Sequence, residues 1–156
     1  MGASTGPSVE GMSRFLLILA VAVTGLALVP TGHAASTAVK TRHGKLGTFL
    51  VDAQGHTLYL FQKDKTSKST CSGACAQAWP PAIASGTPSG AGGVRKALLG
   101  TTKRADGKLQ LTYNGHPLYR FVMDKKPGDT KGQGVNAFGA RWYAVNTAGK
   151  RLGGGY

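Results

Sequence analysis

Glutamate is almost missing from this chain: only Glu10 occurs, and the remaining acids are Asp52, Asp64, Asp106, Asp124 and Asp129. Several of these sit in turn-rich segments such as Pro127-Gly128-Asp129, so a carboxylate pair for hydrolysis has no support. Cysteine is equally scarce, with only Cys71 and Cys75. There is no second pair to complete a four-cysteine zinc site, and C-x-x-x-C departs from the C-x-x-C redox spacing. No G-x-S-x-G elbow occurs, and Gly132-Gln133-Gly134 follows no strand–helix context that would make it a phosphate cradle. Helical periodicity is also missing. The best candidate is one short turn around Ala74-Cys75-Ala76-Gln77-Ala78-Trp79, ended by Pro80-Pro81. These absences predict a protein that is not an enzyme and has no cofactor.

What the chain has first is an exit signal. Residues 15–29 form an apolar stretch preceded by Arg14 and followed by Pro30 and the small residues Gly32, Ala34 and Ala35. Spanning a bilayer takes about 20 apolar residues, so this shorter run reads as a signal peptide rather than a membrane anchor. Gly32 and Ala34 suit the small positions before a cut at Ala34/Ala35, with Ala35/Ser36 as the next choice. The residues before Met12 carry no base, so Met12 is the expected start. No Cys stands at the cleavage region, so no lipid anchor is expected. An exported chain favours oxidation, which predicts a Cys71–Cys75 disulfide. A zinc pair or redox dithiol is the alternative.

The chain has 19 Lys and Arg against 6 acids, a net charge of +13. The leader holds one of each sign, Arg14 and Glu10, so the excess belongs to the remainder. Such a field attracts anionic polymers or membrane surfaces. Solubility alone is the competing explanation, because the bases are dispersed rather than run together. With no recognition module, any nucleic-acid binding would be electrostatic and nonspecific.

The remainder reads as mainly β with little helix. Residues 35–45 read as a flexible basic arm and 46–149 as one small domain, with 150–156 as a tail. Thr48–Asp52 and His56–Phe61 suggest a hairpin around Gly55. Lys108–Tyr113, the Asn114-Gly115 turn and His116–Val122 form a second, with a further strand near residues 98–102. Arg141–Asn146 is a last strand. Ala84–Gly93, within a connection at 84–96, is Gly- and Ser-rich and reads as a mobile link. Gly55-His56-Thr57-Leu58-Tyr59-Leu60-Phe61-Gln62-Lys63-Asp64 matches Gly115-His116-Pro117-Leu118-Tyr119-Arg120-Phe121-Val122-Met123-Asp124 at six of ten positions, sixty residues apart, and each copy has a Trp downstream, Trp79 or Trp142. The domain is therefore read as two pseudo-symmetric antiparallel β repeats, 46–83 and 97–149.

The residues Tyr59/Phe61/Asp64 and Tyr119/Phe121/Asp124 resemble the Y-x-(F/W/Y)-x-x-D motif of a bacterial secreted-repeat family of predicted lipoproteins. Cys71…Cys75…Trp79-Pro80-Pro81 and the Pro127–Tyr143 segment support the likeness, which covers about residues 45–149. The resemblance implies a secreted repeat of unknown function and carries over no catalytic residue.

On a strand, Tyr59 and Phe61 share one face and Leu58 and Leu60 the other, with the same split for Tyr119 and Phe121 against Leu118 and Arg120. One reading makes these core strands, with Asp64 and Asp124 accepting backbone N–H groups of the following loops. The other makes Tyr59, Phe61, Asp64, Tyr119, Phe121 and Asp124 a binding set, with Tyr–Asp pairs at a cleft between the halves. His56 and His116 occupy equivalent hairpin positions. With an Asp they could hold Zn²⁺ or Cu²⁺, although each could equally cap its turn. The expected function is a secreted, non-enzymatic envelope or extracellular binding protein, associated with the cell wall or with anionic polymers. A metal- or cofactor-binding envelope protein using His56 and His116 is the alternative.

Overall fold

The computed structural model describes residues 1–3, 5, 6 and 36–153. The chain divides into two compact units, Met1–Gly32 and His33–Tyr156. The few described residues of the first have no regular secondary structure, and the apolar stretch at 15–29 with its cleavage region lies outside the described residues. No helix among the described residues is long and apolar enough to cross a membrane.

The second unit is mainly β. Its strands are β1 (Ser36–Gly44), β2 (Gly47–Asp52), β3 (Tyr59–Phe61), β4 (Thr87–Gly90), β5 (Leu99–Lys103), β6 (Leu109–Tyr113), β7 (His116–Pro117), β8 (Asn136–Ala137) and β9 (Ala140–Ala144). Its one α-helix among the described residues, α1 (Ala74–Ala78), sits where the sequence predicts a single helical turn. The strands form three small sheets with orders β2-β1-β4, β3-β9-β8 and β5-β6-β7. The second hairpin closes through Asn114 (φ 49) and Gly115 (φ 77), the two positive-φ positions that this short turn requires.

The repeats interleave. The first hairpin is antiparallel near its turn, where the Leu58 N–H donates to Leu50 O. The chain then leaves β2, and β3 pairs with β9 of the second repeat, Tyr59 opposite Ala144 and Phe61 opposite Trp142. The second repeat mirrors this: Tyr119 bridges Pro81, and the Arg120 and Val122 N–H groups donate to Pro80 O and Ala78 O of the first. At the centre Tyr59 and Tyr119 exchange both backbone hydrogen bonds, at 2.8 and 2.9 Å. The expected hairpin over 48–61 is thus only half a hairpin. Its return strand runs alongside the other repeat's Trp segment, which offers a second apolar surface.

The period-2 alternation of the motif sorts side chains onto two cores. Phe49, Val51, Tyr59, Phe61, Trp79, Tyr119 and Trp142 cluster on one side. Leu50, Leu58, Leu60, Leu111, Tyr113 and Leu118 cluster on the other. Both faces of the first motif strand are buried.

Three segments differ from their sequence reading. Residues 36–44 of the expected basic arm form β1, the longest strand, antiparallel to β2 and parallel to β4. Among residues 37–44 Val39 is the one fully buried side chain, so the polar and basic residues around it hide the apolar alternation that would mark a strand. The Gly/Ser-rich connection supplies β4, with the Ala91 N–H donating to Val39 O and the Thr41 hydroxyl to Gly92 O. Its pairing is carried by backbone, which composition does not reveal. The expected tail contributes as well: Arg151 bridges Val145, and Leu152 is buried in the aromatic core.

Candidate functional site

The motif residues converge between the repeats, and each tyrosine reaches the other repeat's aspartate. The Tyr59 hydroxyl donates to Asp124 Oδ2 at 2.6 Å, and the Tyr119 hydroxyl donates to Asp64 Oδ2 at 2.5 Å. The second oxygen of each carboxylate fastens its own loop. Asp64 Oδ1 accepts from the backbone N–H and hydroxyl of Thr70, and Asp124 Oδ1 accepts from the Lys131 N–H. The tyrosines have no exposed surface, and the two aspartates expose 3% and 7%. Burial, reinforced by the neighbouring carboxylate, pushes both phenols above their ordinary range. Burial also raises Asp124, while the Tyr59 hydroxyl and the Lys131 N–H pull it back. Such phenols are held as donors, and neither is poised to lose a proton.

The rings form one continuous stack. Phe61 lies on Trp142 at 4.0 Å, Trp142 on Trp79 at 4.0 Å, and Trp79 on Phe121 at 4.1 Å, all near parallel. The rings alternate between repeats, first, second, first, second. Tyr59 meets Trp79 edge-on and Tyr119 meets Trp142 in the same way. Each such pair contributes about 0.5–1.5 kcal/mol beyond its buried area. Of the six candidate binding residues, Tyr59, Phe61, Asp64, Tyr119 and Asp124 are buried, and Phe121 alone is half-buried at the outer end of the stack.

The histidines stand in different surroundings. His56 Nδ1 lies 3.3 Å from Asp52 Oδ2, which also meets the Arg120 guanidinium at 2.8 Å. His116 lines a separate cavity with Asp64, Lys65 and Lys150. Among the described residues no group of three or more His, Cys, Asp or Glu is placed to hold a metal ion. The Cys71–Cys75 disulfide is formed and ties α1 to the preceding loop. The turn roles expected of aspartate also hold: Asp52 Oδ1 accepts the Gln54 and His56 N–H groups, Asp106 that of Lys108, and Asp129 those of Lys125 and Lys126. These bonds, first that from Lys126, hold Asp129 below the usual carboxylate range.

Residues outside the motif complete the site. The Ser69 hydroxyl donates to the Tyr119 oxygen and accepts from Arg104, which also reaches Gln110 Oε1 and Cys71 O. Gln110 is buried and donates to Leu118 O. Alternation with Leu109 and Leu111 turns Gln110 outward, yet Gln110 is buried and Leu109 exposed, so the strand pattern offered no signal for it. Ser69 and Arg104 lie in loops with none. Gly132 packs against the site so closely that a Cβ there would come within 2.8 Å of the Tyr59 ring and 2.9 Å of Trp79.

No curated protein and no solved structure matches the chain. One family model does, over residues 40–83 and 100–146. Each matched stretch contains one motif tyrosine, one motif aspartate and one Trp, so the two matches coincide with the two halves that exchange tyrosines and aspartates. The chain belongs to the family described as a secreted repeat of unknown function.

Proposed function

We propose that this protein is a non-enzymatic binding module that associates with anionic polymers of the cell wall or extracellular matrix through its basic surface. One observation carries the reading: the fold separates its charges. Asp52, Asp64 and Asp124 are buried and Asp129 is half-buried, which leaves Asp106 as the one fully exposed aspartate. Of the Lys and Arg residues from position 36 onward, all except Arg104 and Arg120 are exposed. The outer surface is therefore more cationic than composition suggests, and its field attracts polyanions over a range set by salt. The same burial supports the non-enzymatic reading, because the carboxylates and phenols that could move protons are committed to each other and to backbone N–H groups.

The test is retention of the purified mature protein on cell wall and on a soluble anionic glycopolymer, against a neutral glycan, across a salt series. The expected result is retention on both anionic materials at low salt, lost as salt rises, with none on the neutral glycan. Failure to bind either anionic material at low salt removes this reading.

A further inference from the structure

A cavity of about 450 Å³ opens between the end of β3, the β6–β7 turn and the C-terminal turn. Leu60 and Phe61 are its buried floor, and His116, Lys65, Lys150 and Arg151 stand around it. Asp64 is the acid on its wall, and both its oxygens are taken, by Thr70 and by the Tyr119 hydroxyl. The backbone that carries Lys150 is held in a turn, and the Arg151 guanidinium is held on a ring. Asn146 Oδ1 accepts the Ala148 and Lys150 N–H groups, the Asn146 N–H donates to Lys150 O, and the Arg151 guanidinium lies over the Tyr143 ring at 5.4 Å. Gly149 allows this turn to sit on the hairpin, since a Cβ there would fall 2.2 Å from that of Asn114.

The other repeat contains a filled counterpart. There Asp52 stands across the hairpin from His56, and its carboxylate takes the Gln54 and His56 N–H groups, the His56 ring and the Arg120 guanidinium. In the second hairpin the residue across from His116 is Tyr113, whose hydroxyl is engaged with the Arg95 N–H and Thr147 O. Arg120 is replaced by Leu60 at the matching motif position. The cavity thus has a histidine, three cations and an apolar floor, but not the carboxylate that its counterpart carries within the chain.

We propose that this cavity binds a small organic carboxylate, with its charged group among His116, Lys65, Lys150 and Arg151 and its ring or alkyl body on Leu60 and Phe61. Charge-assisted bonds to a carboxylate are strong where cations converge, and a mostly apolar wall with a few polar groups is the usual make-up of a small-ligand site. The site is independent of the polymer-binding reading, which needs the whole surface and no cavity.

Benzoate is the probe, titrated into the ¹⁵N-labelled mature protein up to about 10 mM, a range suited to a fragment-sized ligand. The neutral isostere benzamide and inorganic phosphate run in parallel. The expected result is saturable amide shifts for benzoate confined to residues 60–65, 114–116 and 149–151, with none from benzamide. The Lys150→Gln/Arg151→Gln variant, verified as folded by its amide spectrum, should bind benzoate about tenfold more weakly or worse. The Lys103→Gln/Lys108→Gln variant, which lowers net charge equally away from the cavity, should bind as the parent does. The proposal is overturned by shifts spread over the basic surface, by equal shifts from benzamide, by phosphate binding in place of benzoate, by equal weakening in the two variants, or by no saturable shift at all.

Discussion

Replacing Tyr59 by Phe removes one oxygen from the centre of the molecule and leaves the ring stack intact. That oxygen donates to Asp124 Oδ2 at 2.6 Å and accepts the Gly132 N–H at 3.3 Å. A hydrogen bond to a charged group contributes about 1.5–3 kcal/mol, and a buried partner left unsatisfied moves the cost toward the upper end. We expect Tyr59→Phe to cost about 2–3 kcal/mol at neutral pH, a fall in Tm of roughly 10 °C for a domain of this size. Tyr119→Phe should cost less, because Asp64 would keep the two Thr70 donors whereas Asp124 would keep only the Lys131 N–H. The cost of Tyr59→Phe should also shrink in acid. The Tyr59 hydrogen bond lowers a carboxyl that burial raises, so its loss moves Asp124 further toward the neutral form, which is cheaper to bury. Denaturant unfolding of parent, Tyr59→Phe, Asp124→Asn and the double variant at neutral and acid pH gives the coupling between the two residues directly. A cost for Tyr59→Phe below about 0.5 kcal/mol, or one larger at acid pH than at neutral, would refute a sealed Tyr–Asp pair.

Other perturbations test neighbouring steps. Because the Asp124 carboxyl is raised in the folded state, folded chains hold its proton more tightly than unfolded ones, so its contribution is most favourable below the ordinary aspartate range and is lost as pH rises through the raised value. The Tm of the parent relative to Asp124→Asn should therefore fall with rising pH across that window, and a rising or flat difference contradicts this. Gly132→Ala places a Cβ against the Tyr59 and Trp79 rings and should cost about 1–3 kcal/mol, read by denaturant unfolding. Cys71→Ser/Cys75→Ser removes a short loop closure and should cost only about 2 kcal/mol, leaving a folded domain by near-UV circular dichroism. Residues 36–96 and 97–153 expressed separately should each lack dispersed amide signals and gain them on mixing, since β3 pairs with β9 and Tyr119 with Pro81. Either half folding alone would show that the exchange of strands is not needed.

The local elements were legible where one short segment settles them. Asn114-Gly115 announces its hairpin, the repeat announces itself by identity, and alternation in the motif assigns Leu58 and Leu60 to one core and Tyr59 and Phe61 to the other. Partner choice was not legible. The pattern of β3 suits β2 and β9 equally, and only the stacking of Trp142 on Phe61 and Trp79 decides for β9. A Tyr–Asp pair between the halves could be anticipated from the motif. That each pair is sealed, and that each tyrosine serves the opposite repeat, depends on the same unforeseen exchange. β1 stayed hidden because a stretch such as 37–44, with Val39 as its one fully buried side chain, leaves almost no periodic trace.

The exchange also changes how the charge should be weighed. Each motif copy draws its aspartate inside to meet the other copy's tyrosine, while Lys63 and Lys65 in one copy and Lys125 and Lys126 in the other remain exposed beside it. Duplicating the motif thus strips two acids from the surface and leaves bases around the places they left. Part of the cationic surface is therefore a consequence of how the repeats lock together, and would exist without any ligand. Bases that lie outside the motif carry no such explanation: Lys40, Arg42 and Lys45 on the β1–β2 hairpin, and Lys103 and Lys108 on the β5–β6 hairpin, are all exposed. Neither hairpin has more than one acid to balance them, Asp52 in the first, which is buried, and Asp106 in the second. This excess, independent of the Tyr–Asp exchange, is the part of the field that the proposed anionic partner would meet.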